Sequence, residues 1–147
     1  MKLNVKDDSL DIFRKKCKEN NLKITPQRIV IYGELLKSKD HPHAETLYKR
    51  VKKIIPDISL DTVNRTLITF SKIGLVKNVE GYGEARRYDP DIQNHHHFRC
   101  LNCNSIIDFD HKPYDDIIIP GYIEKRFTIT NKKVLLEGYC DKCRPAK

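Results

Sequence analysis

Four of the five cysteines fall in two pairs, Cys100-x-x-Cys103 and Cys140-x-x-Cys143, with 36 residues between them. Each pair offers two thiolates about a tetrahedron's edge apart, so two pairs complete a closed four-sulfur zinc site. In a reducing compartment such pairs seldom form disulfides, and a redox dithiol is the alternative chemistry. Cys17 is of another kind. It recurs with Leu10 and Phe13 at spacings of three and four, which places it on the apolar face of a helix as a core thiol.

A second group carries nitrogen and oxygen donors. His95 and His97 are two apart and share one face of a strand, Asp108 lies on the partner strand of the same hairpin, and Asp89 precedes a polar linker. Two imidazoles and two carboxylates form a hard, mixed donor set suited to Fe(II), Mn(II) or Zn(II) rather than Cu(I). A His-rich surface turn is the other reading of the same residues. His96 points to the opposite strand face, and His43 and His111 are read as solvent-facing or loop residues.

Charge divides the chain that must position these groups. Of its 147 residues, 33% are charged and 39% hydrophobic, with a formal net charge of +8. Residues 1–88 carry 19 Lys and Arg against 11 Asp and Glu, whereas residues 89–147 carry 9 against 9. A cation-rich half joined to a neutral half fits a polyanion-binding module, nucleic acid above all, fused to something else; a solvated lysine-rich surface is the plainer alternative. No run approaches the roughly 20 apolar residues that span a bilayer, and the start MKLNVKDDSLDIF is too charged for a secretory signal. A cytoplasmic protein with no membrane partner is expected.

The first half reads as helices. Residues 10–20 form an amphipathic helix ending at Asn20-Asn21, and Thr25-Pro26 caps a second that runs to about Ser38 with Ile29, Tyr32, Leu35 and Leu36 inward. A third spans about His43 to Ile54 and stops before Pro56. Ser59 caps a fourth, in which Leu60, Val63, Leu67 and Phe70 recur at helical spacing while Asp61, Thr62, Asn64, Arg65 and Thr66 form the other face. Leu75–Val79, a turn at Gly81-Tyr82-Gly83 and Glu84–Tyr88 read as a hairpin. Helix, turn, helix and hairpin together describe a winged helix-turn-helix.

After the linker DPDIQN the second half reads as α/β. Strands are expected at 97–100, 105–109, 127–130 and 134–139, with at most a short helix near 123–126 because Pro113, Pro120 and Gly121 interrupt anything longer. The expected fold class is α+β: a winged-helix domain at 1–88, a hinge at 89–94 and a small zinc-stapled domain at 95–147.

The motifs ITPQR (24–28), HPHAETLY (41–48), SLDTVNRTL (59–67), GLV (74–76), RRYDP (86–90), HHHFRCLNC (95–103), IIDF (106–109) and GYCDKC (138–143) resemble those of the ferric uptake regulator family over nearly the whole chain. The resemblance implies a dimeric, metal-dependent transcriptional repressor of bacterial type, with an N-terminal winged helix and a C-terminal α/β dimerisation domain. It implies structural zinc on Cys100, Cys103, Cys140 and Cys143, and a regulatory Fe(II) or Mn(II) on His41, Asp89, His95, His97 and Asp108. His43 and His96 sit at positions the family does not use. Aspartate rather than glutamate at 108, and Lys132 where the iron-sensing branch often has a histidine, resemble the peroxide-responsive branch; by that resemblance His41 and His95 are the residues oxidised. The partner implied is a palindromic duplex operator. Ser59, Thr62, Asn64 and Arg65 are the expected contacts on the fourth helix, and Lys72, Lys77 and Arg86 are read either as phosphate contacts or as solvated surface. Asn64 stands where the family usually has tyrosine, so base reading at that point is expected to differ.

Two other classes compete. A zinc hydrolase is disfavoured because no H-E-x-x-H helix, general base or glycine-rich phosphate loop is present, and no small-molecule substrate is expected. A zinc-ribbon RNA-binding protein needs exposed aromatics beside its basic residues, whereas those of the basic half lie mainly on helical core faces.

Overall fold

The computed structural model describes residues 2–79 and 86–145, with side chains from Asp8 onward. The expected turn at Gly81-Tyr82-Gly83 and the strand start at Glu84 lie outside them. The chain forms two compact units, Met1–Ile92 and Gln93–Lys147.

In the first unit α1 spans Lys2–Glu19, α2 Pro26–Lys37, α3 Ala44–Lys52 and α4 Leu60–Lys72, followed by β1 (Lys77–Val79) and β2 (Arg87–Asp89), an antiparallel pair. The first helix begins at Lys2 rather than at residue 10, because no proline or glycine interrupts the run and backbone hydrogen bonding continues beyond the apolar periodicity. Local chemistry sets the other boundaries. The Thr25 hydroxyl accepts from the Arg28 amide (3.3 Å) ahead of Pro26, and the Ser59 hydroxyl accepts from the Thr62 amide (3.1 Å). Gly74, at φ 74°, takes the left-handed turn that lets the Leu75 amide reach back to the Phe70 carbonyl (2.9 Å).

The core of this unit joins Phe13 and Cys17 to Ile31, Tyr32, Leu35, Leu47, Val51, Val63, Leu67, Phe70, Leu75 and Tyr88. Phe13 stacks on Tyr32 at 5.1 Å, and Phe70 meets both rings edge-on. Cys17 is fully buried there, as its spacing predicts. The stripe of α2 is rotated from the expected one: Ile31 is buried and Ile29 is exposed. Ile54, expected as the last residue of the third helix, lies past the end of α3 and is exposed.

The second unit contains β3 (His96–Cys100), β4 (Ile106–Phe109), the single turns α5 (Lys112–Asp115) and α6 (Gly121–Glu124), and β5 (Leu135–Gly138). The sheet order is β4-β3-β5, with β3 antiparallel to β4 and parallel to β5. The strand expected at 127–130 does not form. The Phe127 amide bonds the Ile123 carbonyl (2.9 Å) in the turn that closes α6, and Phe127 and Ile129 are left exposed. Among the described residues of this unit, the buried hydrophobic ones are Cys100, Ile106 and Cys140, whereas Ile118 and Tyr122 are 91% and 70% exposed. Apolar burial that sparse cannot offset chain entropy unaided.

Candidate metal centres and candidate recognition helix

Two tight turns and one strand pairing gather the four thiols. Cys100 ends β3, and the following turn closes through the Asn104 amide to the Cys100 carbonyl (2.9 Å), with Asn104 at φ 57°. The second turn closes through the Cys143 amide to the Cys140 carbonyl (3.0 Å). Because Cys100 is in register with Gly138 across the parallel β3–β5 pair, Cys140 emerges beside the first knuckle. The four sulfurs lie within 4.8 Å of one another, and Cys103 Sγ and Cys140 Sγ are 3.8 Å apart. A Zn–S bond of about 2.3 Å gives a tetrahedral edge of about 3.8 Å, so the spacing fits zinc.

The electrostatics suit thiolate ligation. Amides of Cys103 and then Cys140 hold the Cys100 thiol down to about 6. Ser105 lowers Cys103. At Cys143 the Asn102 amide acts downward, but crowding by Cys140, burial and the other two thiols outweigh it and push the group up to about 11. Four thiols this close cannot all ionise without a cation among them.

The nitrogen and oxygen donors of the second unit lie on one hairpin face. His97 pairs with Asp108 across β3–β4, and its Nε2 is 3.1 Å from Asp108 Oδ1. His95, two residues earlier, brings Nε2 to 3.6 Å from the same oxygen, with the two imidazole centroids 4.6 Å apart. His95 Nδ1 is 2.7 Å from the Gln93 carbonyl, to which it donates, so Nε2 keeps its lone pair toward the cluster. A ligating histidine is held in this way when its second nitrogen is tied to a carbonyl. Donor types and orientation fit a divalent cation.

In the first unit His41 and Asp89 are both buried, with His41 Nε2 3.2 Å from Asp89 Oδ2. Asp89 closes β2, and its Oδ1 accepts from the Asp91 amide (2.9 Å). His41 sits at φ 50°, a strained conformation for a residue with a side chain. Arg87 stabilises it, its guanidinium donating to the His41 carbonyl (2.7 Å) and the Asp40 carbonyl, while the Tyr88 amide bonds the Pro42 carbonyl (3.2 Å). Neither Arg87 nor Gln93 was marked by sequence reasoning. Their roles depend on carbonyls that only the folded loops supply.

On α4, Asn64 and Arg65 are exposed, and Arg65 pairs with Asp61 at 2.8 Å. Ser59 and Thr62 form the N-cap and face each other at 2.9 Å between hydroxyls. His43 stands at the N-cap of α3 with Nδ1 3.4 Å from the Arg86 carbonyl. His96 is entirely buried, a packing that its place in a histidine run does not announce.

A helix-turn-helix with a two-stranded wing, in one chain with clusters of thiolate and imidazole–carboxylate donors, defines a metal-responsive DNA-binding regulator rather than an enzyme. Residues 19–137 match the model of the Ferric uptake regulator family, and the chain belongs to that family. It is 31% identical over 138 residues to the Peroxide-responsive repressor PerR of Staphylococcus saprophyticus, covering 94% of this chain and 90% of that protein. The fold is shared with the ferric uptake regulator Fur of Helicobacter pylori, a structure that reveals three functional metal binding sites (TM-score 0.78, 22% identity, 96% of this chain and 95% of that one). It is also similar to the peroxide stress regulator of Campylobacter jejuni (TM-score 0.65, 27% identity, 91% of this chain and 98% of that one). The chain is thus a metal-responsive transcriptional repressor, and regulators of its family are DNA-binding dimers.

Proposed function

We propose that this chain is a peroxide-responsive repressor that binds palindromic duplex operators as a homodimer. The observation that carries the reading is the hairpin donor face of His95, His97 and Asp108, in which the carboxylate is aspartate and His95 is already oriented by Gln93. His41 and Asp89 would complete the ligand set for Fe(II) or Mn(II), and Cys100, Cys103, Cys140 and Cys143 would hold structural zinc. Residues 1–88 are read as the DNA-binding domain, 89–94 as the hinge and 95–147 as the dimerisation and metal-binding domain. Exposed Ile118, Tyr122, Phe127 and Tyr139 supply apolar surface for a second copy. No helix among the described residues is long and apolar enough to cross a membrane, and a cytoplasmic location suits both DNA and reduced thiols.

The proposed switch is a linkage between metal and DNA. A metal favours the DNA-competent state only as far as the donors of the two units engage it better in that state. A coupling of about 2–3 kcal/mol corresponds to roughly 30- to 150-fold in operator affinity. Fe(II) held by these residues would supply the redox chemistry that cleaves peroxide. One H2O2 would give one oxygen atom to a ring C–H of His41 or His95 while the other leaves as water, and the altered ring would lose its hold on the metal and release DNA.

The test is intact-mass and peptide mapping after Fe(II) loading and hydrogen peroxide. One oxygen atom gained at His41 or His95, with loss of operator binding, is the expected result. DNA binding that survives peroxide with no such gain would favour a regulator of metal uptake instead.

On α4, read as the recognition helix, the Asp61–Arg65 pair is exposed and worth little, about 0–1 kcal/mol, so Arg65 is readily released to a base edge. Arg65→Ala is expected to weaken binding to a duplex selected by the Mn(II)-loaded protein by about 1–3 kcal/mol at fixed salt. Unchanged affinity in a gel shift would remove Arg65 from the interface.

A further inference from the structure

His96 lies between His95 and His97 but on the opposite face of β3, with no exposed surface. The Val134 amide donates to its Nδ1 at 3.0 Å, so the ring proton is on Nε2. Nε2 is 2.9 Å from Asp115 Oδ1 and donates to it, and the Asn94 side-chain Nδ2 donates to the same carboxylate oxygen at 3.3 Å. The rings of Phe109 and Tyr114 pack around it, with centroids 5.7 and 5.6 Å away. Neither ring nitrogen therefore has a lone pair to give a metal.

We propose that His96 is a positioning residue, a neutral clasp that ties β3 to the Asp115 turn and to the start of β5 and so holds His95 and His97 on one face against Asp108. Val134 shows why the clasp matters. Its carbonyl accepts from the His97 amide at 3.1 Å while its amide donates to the His96 ring, so both its polar groups fasten the first rung of the parallel β3–β5 pairing. A residue-long slip or fraying of β3 there would turn the two donor imidazoles away from Asp108, because side chains alternate along a strand. His96 also holds Asp115 by a hydrogen bond and so fixes the end of α5 behind the hairpin. Groups that hydrogen-bond a ligand directly typically change metal affinity 10- to 100-fold when removed, and His96, which acts through the strand, is expected at the lower end of that range. The metal part of the inference rests on the regulatory site proposed above.

The test uses the full-length, zinc-loaded protein and three substitutions. His96→Asn keeps an acceptor near the Nδ1 position, His96→Gln keeps a donor near Nε2, and His96→Leu keeps neither. Amide hydrogen exchange at Val134 is expected to stay near wild type in H96N and to accelerate in H96Q and H96L. Mn(II) affinity is expected to fall by about tenfold in H96L and by less in the other two, with an altered Co(II) d–d spectrum and undiminished zinc content. If H96L loses zinc, H96Q carries the same two readouts. Unchanged Val134 exchange and Mn(II) affinity across the variants would overturn the clasp, as would a second Mn(II) in the wild type that H96L loses, because His96 would then be a ligand. If the wild type takes up no Mn(II), the regulatory-site reading fails, while Val134 exchange still decides whether His96 fastens β5.

Discussion

Cys140→Ser is expected to release zinc and unfold the second unit while leaving the first folded. Cys140 meets Cys103 Sγ at 3.8 Å, and its amide lies 3.5 Å from Cys100 Sγ, so it links both knuckles. In small domains structural zinc contributes apparent free energies of about 10–16 kcal/mol, more than a whole domain's usual stability margin. The buried apolar residues among those described in this unit, Cys100, Ile106 and Cys140, include two of the thiols proposed to hold zinc, so little else holds it. The expected measurements are loss of stoichiometric zinc, loss of dispersed amide resonances from residues 93–145, and a monomer by light scattering. Resonances of the Phe13, Tyr32 and Phe70 cluster should persist, because that core is built within the first unit. Cys17→Ala, in the same core, should leave zinc content unchanged. A Cys140→Ser chain that keeps one zinc and its dimer would refute the assignment.

The second large effect concerns Asp89. Asp89→Asn is the informative substitution because Oδ1, the acceptor for the Asp91 amide, has an equivalent in asparagine, so the end of β2 keeps its turn while the negative charge goes. His41→Ala would be less clean, since an alanine at φ 50° carries strain unrelated to metal. Without Mn(II), operator affinity of the variant should equal that of the wild type. With Mn(II), most of the roughly 30- to 150-fold gain proposed for the wild type should disappear, because a ligand engaged in one state alone is what gives metal a preference between states. Fluorescence anisotropy with a labelled duplex, titrated with Mn(II) at constant ionic strength, measures both terms. Equal metal stimulation in wild type and variant would remove Asp89 from the switch.

Much of the candidate machinery is legible in the sequence. The C-x-x-C pairs, the H-x-H and the aspartates are short-range spacings, and metal-ligand chemistry constrains residue types enough for spacing to carry meaning. The caps at Thr25 and Ser59 were equally legible, since an N-cap bond spans only three residues. The start of α1 was not, because helix extension needs no apolar repeat. The run 127–130 misled for the opposite reason: its composition suits a strand, but pairing is decided by which amides are already engaged, and α6 had taken that of Phe127.

Residue identity and local spacing by themselves determined the two cysteine pairs, the grouping of His95 and His97 with Asp89 and Asp108, the confinement of the +8 to residues 1–88, and the class of domain each half forms, while His41 entered through the family resemblance alone. Tertiary structure alone decided how those donors are held. The parallel β3–β5 pairing that joins the two knuckles, the Arg87 bonds that hold His41 at a strained angle, and the burial that turns His96 from one histidine among three into a clasp all link residues far apart in the chain. Contacts of that range depend on where whole strands and loops come to rest, and no local periodicity encodes them.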